Sequence, residues 1–365
     1  MQALRIYAGP VALRQIQRNG LQPADVRVIP AAAGGPKGLI LGAIDRFVFG
    51  EWLAGSTHRV DLVGASIGAW RMATACLNDP VAALHRLEHD YIHQHYEVPP
   101  GRKRPSADQV SAAFGAGLDQ FYGGRVREVL SHPRWRLHVM TSHGRGLLAR
   151  EHPVGTPLGY LGAFTSNLVH RRVLDAWLER VVFSVQGASS PLAPPVPLPF
   201  GTHDYATRQV ALTEANFRPA VQASCSIPFV LRAVHDIPGA PRGAYWDGGI
   251  TDYHLHLDYQ PGEGGIVLYP HFQKAVVPGW LDKALKWRHR ATPFLDRMVV
   301  LAPRTEWVAT LPNGKLPDRT DFTRYGNDLA SRVKVWTAAA SAAQQLADEF
   351  AQWLRKPDPS QVDVL

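Results

Sequence analysis

The sequence is poor in several features that would assign it to a specialised class of protein. Cysteine occurs only at Cys76 and Cys225 in 365 residues, too few for a disulfide framework or a four-thiolate zinc site. No apolar run approaches the roughly 18 residues that a membrane-spanning helix needs. The N-terminal stretch has no apolar segment of the kind found in signal peptides. These absences favour a cytoplasmic protein, with peripheral contact to a membrane as the alternative.

Motifs for nucleotides and nucleic acids are also missing. The chain has no Gly-Lys-Ser/Thr of the Walker pattern and no G-x-G-x-x-G fingerprint. Lys and Arg number 39 against 31 Asp and Glu, which gives a formal charge of +8. The basic residues are scattered, apart from a cluster at 101–104, and no nucleic-acid-binding signature accompanies them. The charge therefore favours solubility, leaves an anionic membrane surface as a candidate partner, and predicts no specific binding of nucleic acid.

The patterning that is present indicates an α/β fold. Short apolar runs alternate with helical patterns, which is typical of a mainly parallel central sheet with helices on both faces. No repeat or change of composition marks a boundary, so we expect one domain over residues 1–365. Its motif-bearing core covers about 26–270, closing helices cover about 326–355, and proline-containing loops cover 97–107 and 187–201. The predicted strands are 26–33, 60–65, 136–141, 180–184, 209–213, 265–269 and 298–301.

A Gly-x-Ser-x-Gly sequence lies between the predicted strand 60–65 and a predicted helix over 67–77. Its serine is Ser66, and its glycines are Gly64 and Gly68. In this context the pattern is typical of a nucleophile elbow, because glycines two residues away remove the Cβ clashes of a sharp turn that exposes the hydroxyl. The alternative is a glycine-rich turn that only joins strand and helix or cradles a phosphate.

A second glycine-rich segment, 34–38 (GGPKG), follows the predicted strand 26–33. Adjacent strands of a parallel sheet place their C-terminal turns side by side. Backbone N–H groups at the start of a helix are oriented donors, so we expect this loop to face an oxyanion formed at Ser66. Pro36 has no N–H, which leaves Gly34 and Gly35 as the first candidate donors.

A third block places Asp247 at the end of a strand-like stretch, followed by Gly248 and Gly249. A simple Asp-Gly turn is the commonest use of such a sequence. The functional alternative is a carboxylate that accepts a proton from a serine. Partial burial beside Tyr245 and Trp246 would raise the pKa of this carboxyl and make it a better base.

Taken in this order, the three blocks resemble the patatin-like phospholipase family. The segment 223–229 (ASCSIPF) resembles the family's stretch ahead of the aspartate, so the likeness spans roughly residues 26–252. The resemblance implies a three-layer α/β/α fold and a hydrolase of lipid acyl esters that needs no metal or other cofactor. It further implies a nucleophile, a proton acceptor and an oxyanion loop, which are respectively Ser66, Asp247, and Gly34, Gly35, Lys37 and Gly38.

The sequence departs from the family pattern at Ala33, where the family has glycine, and residues 85–200 match nothing that would identify the substrate. Two alternatives stay open. One is a catalytically silent lipid-binding protein of the same fold, which Ala33 and Pro36 favour. The other is an esterase of the α/β-hydrolase type, whose triad would add His254 or His256 to the serine and aspartate.

Several other residues have simpler interpretations. His85, His89 and His93 would share one helix stripe, which we expect to be solvated rather than metal-binding. The two cysteines are expected to be small buried side chains. Loop 187–201 is a candidate lid over the site. Tryptophans near Lys and Arg form a candidate interfacial patch, and they are Trp280, Trp287 and Trp307.

Overall fold

The computed structural model describes residues 1–98, 101–102, 105–186 and 196–365. Within these ranges the strands form one eleven-stranded sheet. They are β1 (Leu4–Ala8), β2 (Val26–Ala31), β3 (Val60–Ala65), β4 (Trp135–Gly144), β5 (Leu178–Ser184), β6 (Thr207–Ala211), β7 (Val234–His235), β8 (Ala244–Asp247), β9 (Ile266–Pro270), β10 (Met298–Pro303) and β11 (Val362–Val364).

Helices occupy most of the connections between these strands. In chain order they are α1 (Pro10–Asn19), α2 (Gly42–Phe47), α3 (Ile67–Ala75), α4 (Pro80–His93), α5 (Ala107–Tyr122), α6 (Val126–Leu130), α7 (Gly155–Val169), α8 (Glu214–Ser224), α9 (Thr305–Val308), α10 (Thr320–Tyr325), α11 (Leu329–Ala342) and α12 (Gln344–Arg355). No helix in the described ranges is both long enough and apolar enough to cross a membrane.

The sheet confirms the expected α/β class with a mainly parallel centre. Its main path runs β11-β1-β10-β9-β2-β3-β4-β5-β6, with β8 attached to β4 and β7 to β8. The pairs β10/β9, β9/β2, β2/β3 and β3/β4 are parallel, whereas β1 and β5 enter antiparallel to β10 and β4. The five strands β10, β9, β2, β3 and β4 therefore present their carboxyl ends along one edge.

Helices pack on both faces of the sheet. Trp135 at the start of β4 meets Phe49 edge-on, with ring centroids 5.6 Å apart. Trp246 of β8 pairs with Ser142 of β4, so it points to the opposite face, where its ring lies 5.8 Å from that of Tyr160 in α7. The buried Trp246 side chain thus belongs to a second apolar cluster beneath α7, separate from the main core.

The sequence predictions for individual elements are confirmed to within a few residues in most cases. Strand β3 and the two closing helices α11 and α12 lie where they were expected, and β6 begins two residues early. The helix that follows the glycine-rich loop is irregular, since it starts as a 3₁₀ helix at Gly35–Leu41, continues as α2 and ends in a π turn at Val48–Trp52. Strands β1 and β11 were not predicted. Most of loop 187–201 and half of the basic cluster lie outside the described residues, and the single domain stays a prediction.

Candidate active site

The site is formed where two strands meet end to end beside β4. Strand β3 pairs with β4 as far as Ala65 opposite Met140. Strand β8 arrives from the other direction and pairs with the next residues of β4, beginning with Asp247 opposite Thr141. The residue that follows β3 and the residue that ends β8 are therefore brought together, although 181 positions separate Ser66 from Asp247 in the chain.

Ser66 has the backbone conformation of a sharp strand-to-helix turn. Its φ and ψ angles are 56° and −129°, a combination that is strained for any residue with a side chain. The flanking glycines are sterically required. A Cβ on Gly64 would lie 2.4 Å from the Cα of Ala69, and one on Gly68 would lie 1.9 Å from the carbonyl oxygen of Ala31. The local structure is the elbow that the sequence predicts.

Ser66 and Asp247 are in direct contact. The Ser66 hydroxyl donates to Asp247 Oδ2 over 2.7 Å, and both side chains are buried. The other carboxylate oxygen, Oδ1, accepts the Gly249 backbone N–H at 2.7 Å. Gly248 is also required, because a Cβ there would lie 2.1 Å from the carbonyl oxygen of Met140. The Asp-Gly-Gly turn therefore fixes the carboxylate with one oxygen aimed at the serine.

The surroundings of Asp247 make it a better base than an exposed aspartate. Burial raises its pKa above the ordinary value, because the charged form loses hydration. The positive charge of Arg319, the Ser66 hydroxyl and the Gly249 N–H act in the opposite direction, but they do not cancel the effect of burial. A serine proton is transferred more readily to a carboxylate of raised pKa.

The predicted oxyanion loop packs against the elbow. A Cβ on Gly38 would lie 3.3 Å from Ile67 Cγ1, the side chain next to the serine. Gly35 has a φ of 56°, which favours glycine, and a Cβ on Gly34 would lie 2.6 Å from Phe272. In the described ranges no hydrogen bond uses the Gly34 or Gly35 amide, whereas the Ala33 amide donates to the Tyr253 carbonyl at 3.0 Å. Gly34 and Gly35 are thus the amides left for a ligand.

Two residues of the segment 223–229 contribute to the site in ways that the sequence did not indicate. The Ser66 amide donates to Ser224 Oγ at 2.9 Å, and Ser224 Oγ in turn donates to the Met140 carbonyl at 2.7 Å. The buried Cys225 thiol lies beside Ser66, and burial raises its pKa well above the ordinary value. A protonated thiol leaves the serine as the stronger nucleophile candidate.

Three cations near the site have no carboxylate partner in the described ranges, and two of them, Arg319 and Lys283, act electrostatically on Asp247. Arg319 Nε lies 3.4 Å from the position of a Cβ on Gly35, and Lys283 Nζ lies 4.2 Å from the centroid of the Tyr253 ring. Lys37, in the loop itself, lies over Phe272 at 5.2 Å. None of the three joins an ion pair in the described ranges. The residues outside those ranges, 99–100, 103–104 and 187–195, include no Asp or Glu. Desolvation and the charges of Arg319 and Lys37 lower the pKa of Lys283 to about 8.

The charge around Asp247 therefore favours an anion, such as the carboxylate itself or an oxyanion formed at Ser66. Lys283 and Arg319 were not among the predicted site residues. No motif surrounds either one, and both reach the site from loops that follow β9 and β10.

An apolar cleft adjoins the elbow on the side of α4. It encloses about 340 Å³, including its open mouth. Its edge is formed by Gly35 and Gly38, and a buried ion pair between Asp45 and Arg71 lies along it at 2.7 Å. The apolar side chains that line it are Leu39, Ile67, Leu84, Leu87 and Tyr91. The cleft therefore gives the loop and the elbow an apolar flank.

The histidines of the alternative triad lie elsewhere. His254 Nδ1 is 3.1 Å from the Ala275 carbonyl oxygen, and His256 binds the Val276 carbonyl and the Thr292 hydroxyl. Within the described ranges, the hydrogen bonds of Ser66 and Asp247 include no histidine. A triad that uses either histidine is therefore not assembled.

The other histidine group occupies a solvated helix face, as expected. His85 and His89 on α4 are exposed, and the His89 ring stacks on His93 with centroids 4.1 Å apart. In the part of the chain that the structure describes, no group of three or more His, Cys, Asp or Glu side chains is arranged to hold a metal ion.

Comparison with known proteins adds no assignment. No protein-family model matches the chain, and no curated protein matches it.

Proposed function

We propose that this protein is a patatin-like serine hydrolase that cleaves acyl esters of lipids through a Ser66–Asp247 dyad. The observation that carries the proposal is the 2.7 Å hydrogen bond from the Ser66 hydroxyl to Asp247 at a strained strand-to-helix turn. A serine held in this way at a buried carboxylate of raised pKa is suited to nucleophilic attack.

The reaction proceeds in two steps. Asp247 Oδ2 accepts the Ser66 proton while Oγ bonds to the ester carbonyl carbon, and the Gly34 and Gly35 amides stabilise the oxyanion. The oxyanion then collapses, the bond to the alcohol breaks, and the alcohol leaves with the proton from Asp247. Water next transfers a proton to Asp247 and attacks the carbonyl carbon of the acyl-serine. The bond from that carbon to Ser66 Oγ then breaks, the acid leaves, and the proton on Asp247 returns to Oγ.

An acyl group is supported as the substrate by the apolar cleft beside the elbow. Its lining includes Ile67, the neighbour of the nucleophile, together with Leu39 and Leu84, so the surface beside the elbow is suited to contact with a hydrocarbon chain. The positive charges of Lys283 and Arg319 near Asp247 support stabilisation of the negative charge that develops on the substrate's carbonyl oxygen.

The decisive experiment is labelling by a fluorophosphonate together with hydrolysis of a short-chain nitrophenyl ester. We expect wild type to be labelled at Ser66 and to turn over the ester. Ser66→Ala and Asp247→Asn should each lower kcat/KM by about 10³-fold or more. His254→Gln and His256→Gln serve as controls and should retain activity. A folded wild type that is neither labelled nor active would favour the catalytically silent lipid-binding alternative.

A further inference from the structure

One side of the molecule concentrates its exposed apolar side chains. In the described ranges, every exposed large apolar side chain except Met1 and Val364 lies in residues 147–173, at 229–230 or at Trp287. We call these residues the α7 surface. Exposures are high within it, reaching 80% for Val169, 61% for Val154 and 59% for Leu161. A water-facing protein surface rarely groups side chains of this size.

The parts of the α7 surface are contiguous. A Cβ on Gly159 of α7 would lie 3.3 Å from Leu147 Cβ, and the Tyr160 ring lies 5.8 Å from that of Phe229. At the other end of the helix, the Arg288 guanidinium donates to the Asn167 carbonyl at 2.7 Å, which brings the neighbouring Trp287 to the same side.

Helix α7 has an unusual composition for a helix with a solvent-facing side. Its fifteen residues include no charged side chain. The buried side carries Tyr160, Ala163 and Asn167, while Leu158, Leu161 and Leu168 are exposed at the spacing of a single helix face. The helix is therefore largely apolar on both sides, which is typical of a helix whose outer side meets an apolar partner.

Positive charges predominate around the α7 surface, and the acidic Glu151 within 147–173 is paired with Arg232. Residues 152–174 and 283–295 contain no Asp or Glu, whereas they supply Arg171, Arg172, Lys283, Lys286, Arg288 and Arg290. The acidic Asp282 beside them is buried and is bound by Arg171 and Arg288. Apolar side chains and an exposed tryptophan within a basic rim match the layered chemistry of an anionic lipid interface.

Buried Tyr160 connects the α7 surface to β8, the strand that ends in Asp247. The Tyr160 ring lies 5.8 Å from both Phe229 on the outside and Trp246 on the inside, and Trp246 precedes Asp247.

A second copy of this chain is a poorer occupant, because a two-fold contact would bring two basic rims together.

We propose that the α7 surface docks onto anionic lipid aggregates, inserting the apolar side of α7 with Phe229 and Trp287 while the basic rim binds the head groups. This inference rests on the proposed function for its purpose, since docking would bring the Ser66 site to lipid esters. The docking itself is a binding property and is measurable without turnover.

The test is sedimentation with vesicles of phosphatidylcholine, with and without about 30% phosphatidylglycerol. Wild type should bind the anionic vesicles more tightly. Leu158→Ser combined with Leu161→Ser should weaken binding by about tenfold or more, because two exposed leucines no longer enter the lipid. Hydrolysis of a water-soluble ester should stay within about twofold of wild type, since neither leucine touches the dyad.

A charge-matched pair isolates the basic rim. Lys286→Gln with Arg290→Gln should weaken binding to the anionic vesicles by about tenfold. Arg14→Gln with Arg18→Gln removes the same charge from exposed positions on α1 and should leave binding unchanged. Thermal melts of all variants confirm that they are folded.

The inference is overturned if wild type does not bind the anionic vesicles, or if the leucine variant binds them like wild type. It is also overturned if wild type is a dimer by size exclusion and the leucine variant is a monomer. Vesicle binding without hydrolysis of any ester would contradict the proposed function and leave the docking intact. Hydrolysis of soluble ester without vesicle binding would contradict the docking and leave the proposed function intact.

Discussion

Ser66 combines a chemical role with a conformational cost. With φ at 56° and ψ at −129°, its Cβ is strained against its own backbone, a cost of order 1–3 kcal/mol that the surrounding structure must offset. The Ser224 hydroxyl accepts the Ser66 amide, and α3 follows immediately, so the turn is held from both sides. Strain at this position presents the hydroxyl to Asp247 instead of directing it into the sheet.

The strain at Ser66 predicts that replacing the serine by glycine stabilises the fold although it removes the nucleophile. The free energy of unfolding of Ser66→Gly should exceed that of Ser66→Ala by about 1 kcal/mol, because glycine adopts this conformation without a Cβ clash. Both variants should be inactive. Urea titration measured by fluorescence compares them directly, and equal midpoints would show that the turn stores no strain.

Asp247 predicts a dependence of stability on pH. Because burial raises its pKa in the folded state, the folded protein holds the proton more tightly than the unfolded chain does. Tighter binding of this proton stabilises the folded state fully below the unfolded pKa of about 4. The stabilisation is lost as the pH rises through the pKa that Asp247 has in the folded protein. Asp247→Asn carries no charge to bury, so it should be more stable than wild type at neutral pH.

The stability difference between the two proteins should shrink as the pH falls towards about 4, where both side chains are neutral. Unfolding titrations across this range measure it. Glu306→Gln, at an exposed site, is the control and should not reproduce the pattern. A difference that stayed constant with pH would contradict the raised pKa.

The turn between β3 and α3 depends on close backbone contact. We expect Gly68→Ala to destabilise the protein by about 3 kcal/mol or more, because its Cβ would lie 1.9 Å from the Ala31 carbonyl oxygen of β2. Gly117→Ala is the matched control, since Gly117 is exposed in α5 with nothing within 4 Å of an added Cβ. That substitution should stabilise by about 0.5–1 kcal/mol. Similar effects of the two changes in urea titrations would contradict this account.

The elements that carry the site were predictable from local patterns. Strand β3 is a buried apolar run that ends in Gly-x-Ser-x-Gly, and local sequence defines both the strand and the turn. The loop at Gly34–Gly35 follows β2 for the same reason. The pairing of β1 was harder to foresee, because Leu4–Ala8 is short and pairs with β10 almost three hundred residues later.

The arrangement of the site depends on long-range geometry that local patterns do not contain. Asp247 reaches Ser66 because β8 continues along β4 where β3 stops, a register that depends on the whole sheet. Lys283 and Arg319 arrive from irregular loops, where hydrophobic periodicity gives no signal. The pairing of Ser66 with Asp247 was therefore predicted only through a family resemblance, and the cations near it were not predicted.

At the scale of the whole molecule, β1 is inserted between β10 and β11, and α12 secures it. The Glu349 carboxylate of α12 accepts the backbone amides of Ala3 and Leu4 at 2.8–3.0 Å. These charge-assisted bonds join the beginning of the described chain to its last long helix.

We expect Glu349→Ala to lower the free energy of unfolding by about 1–3 kcal/mol, because the two amides lose their acceptor. Activity on a soluble ester should be unchanged below the unfolding transition. Asp348→Ala is the neighbouring control, since Asp348 is exposed and accepts only from Gln344 in the described ranges. Equal losses for the two variants would show that the contact to β1 contributes little.

Because β3 and β8 meet end to end along β4, the proposed ester hydrolysis would report complete assembly of the sheet. Neither half of the chain contains both members of the dyad, and the contact between them exists only when β4 holds both strands. During refolding, ester hydrolysis should therefore return after helix content, and together with protection of the β4 amides from hydrogen exchange.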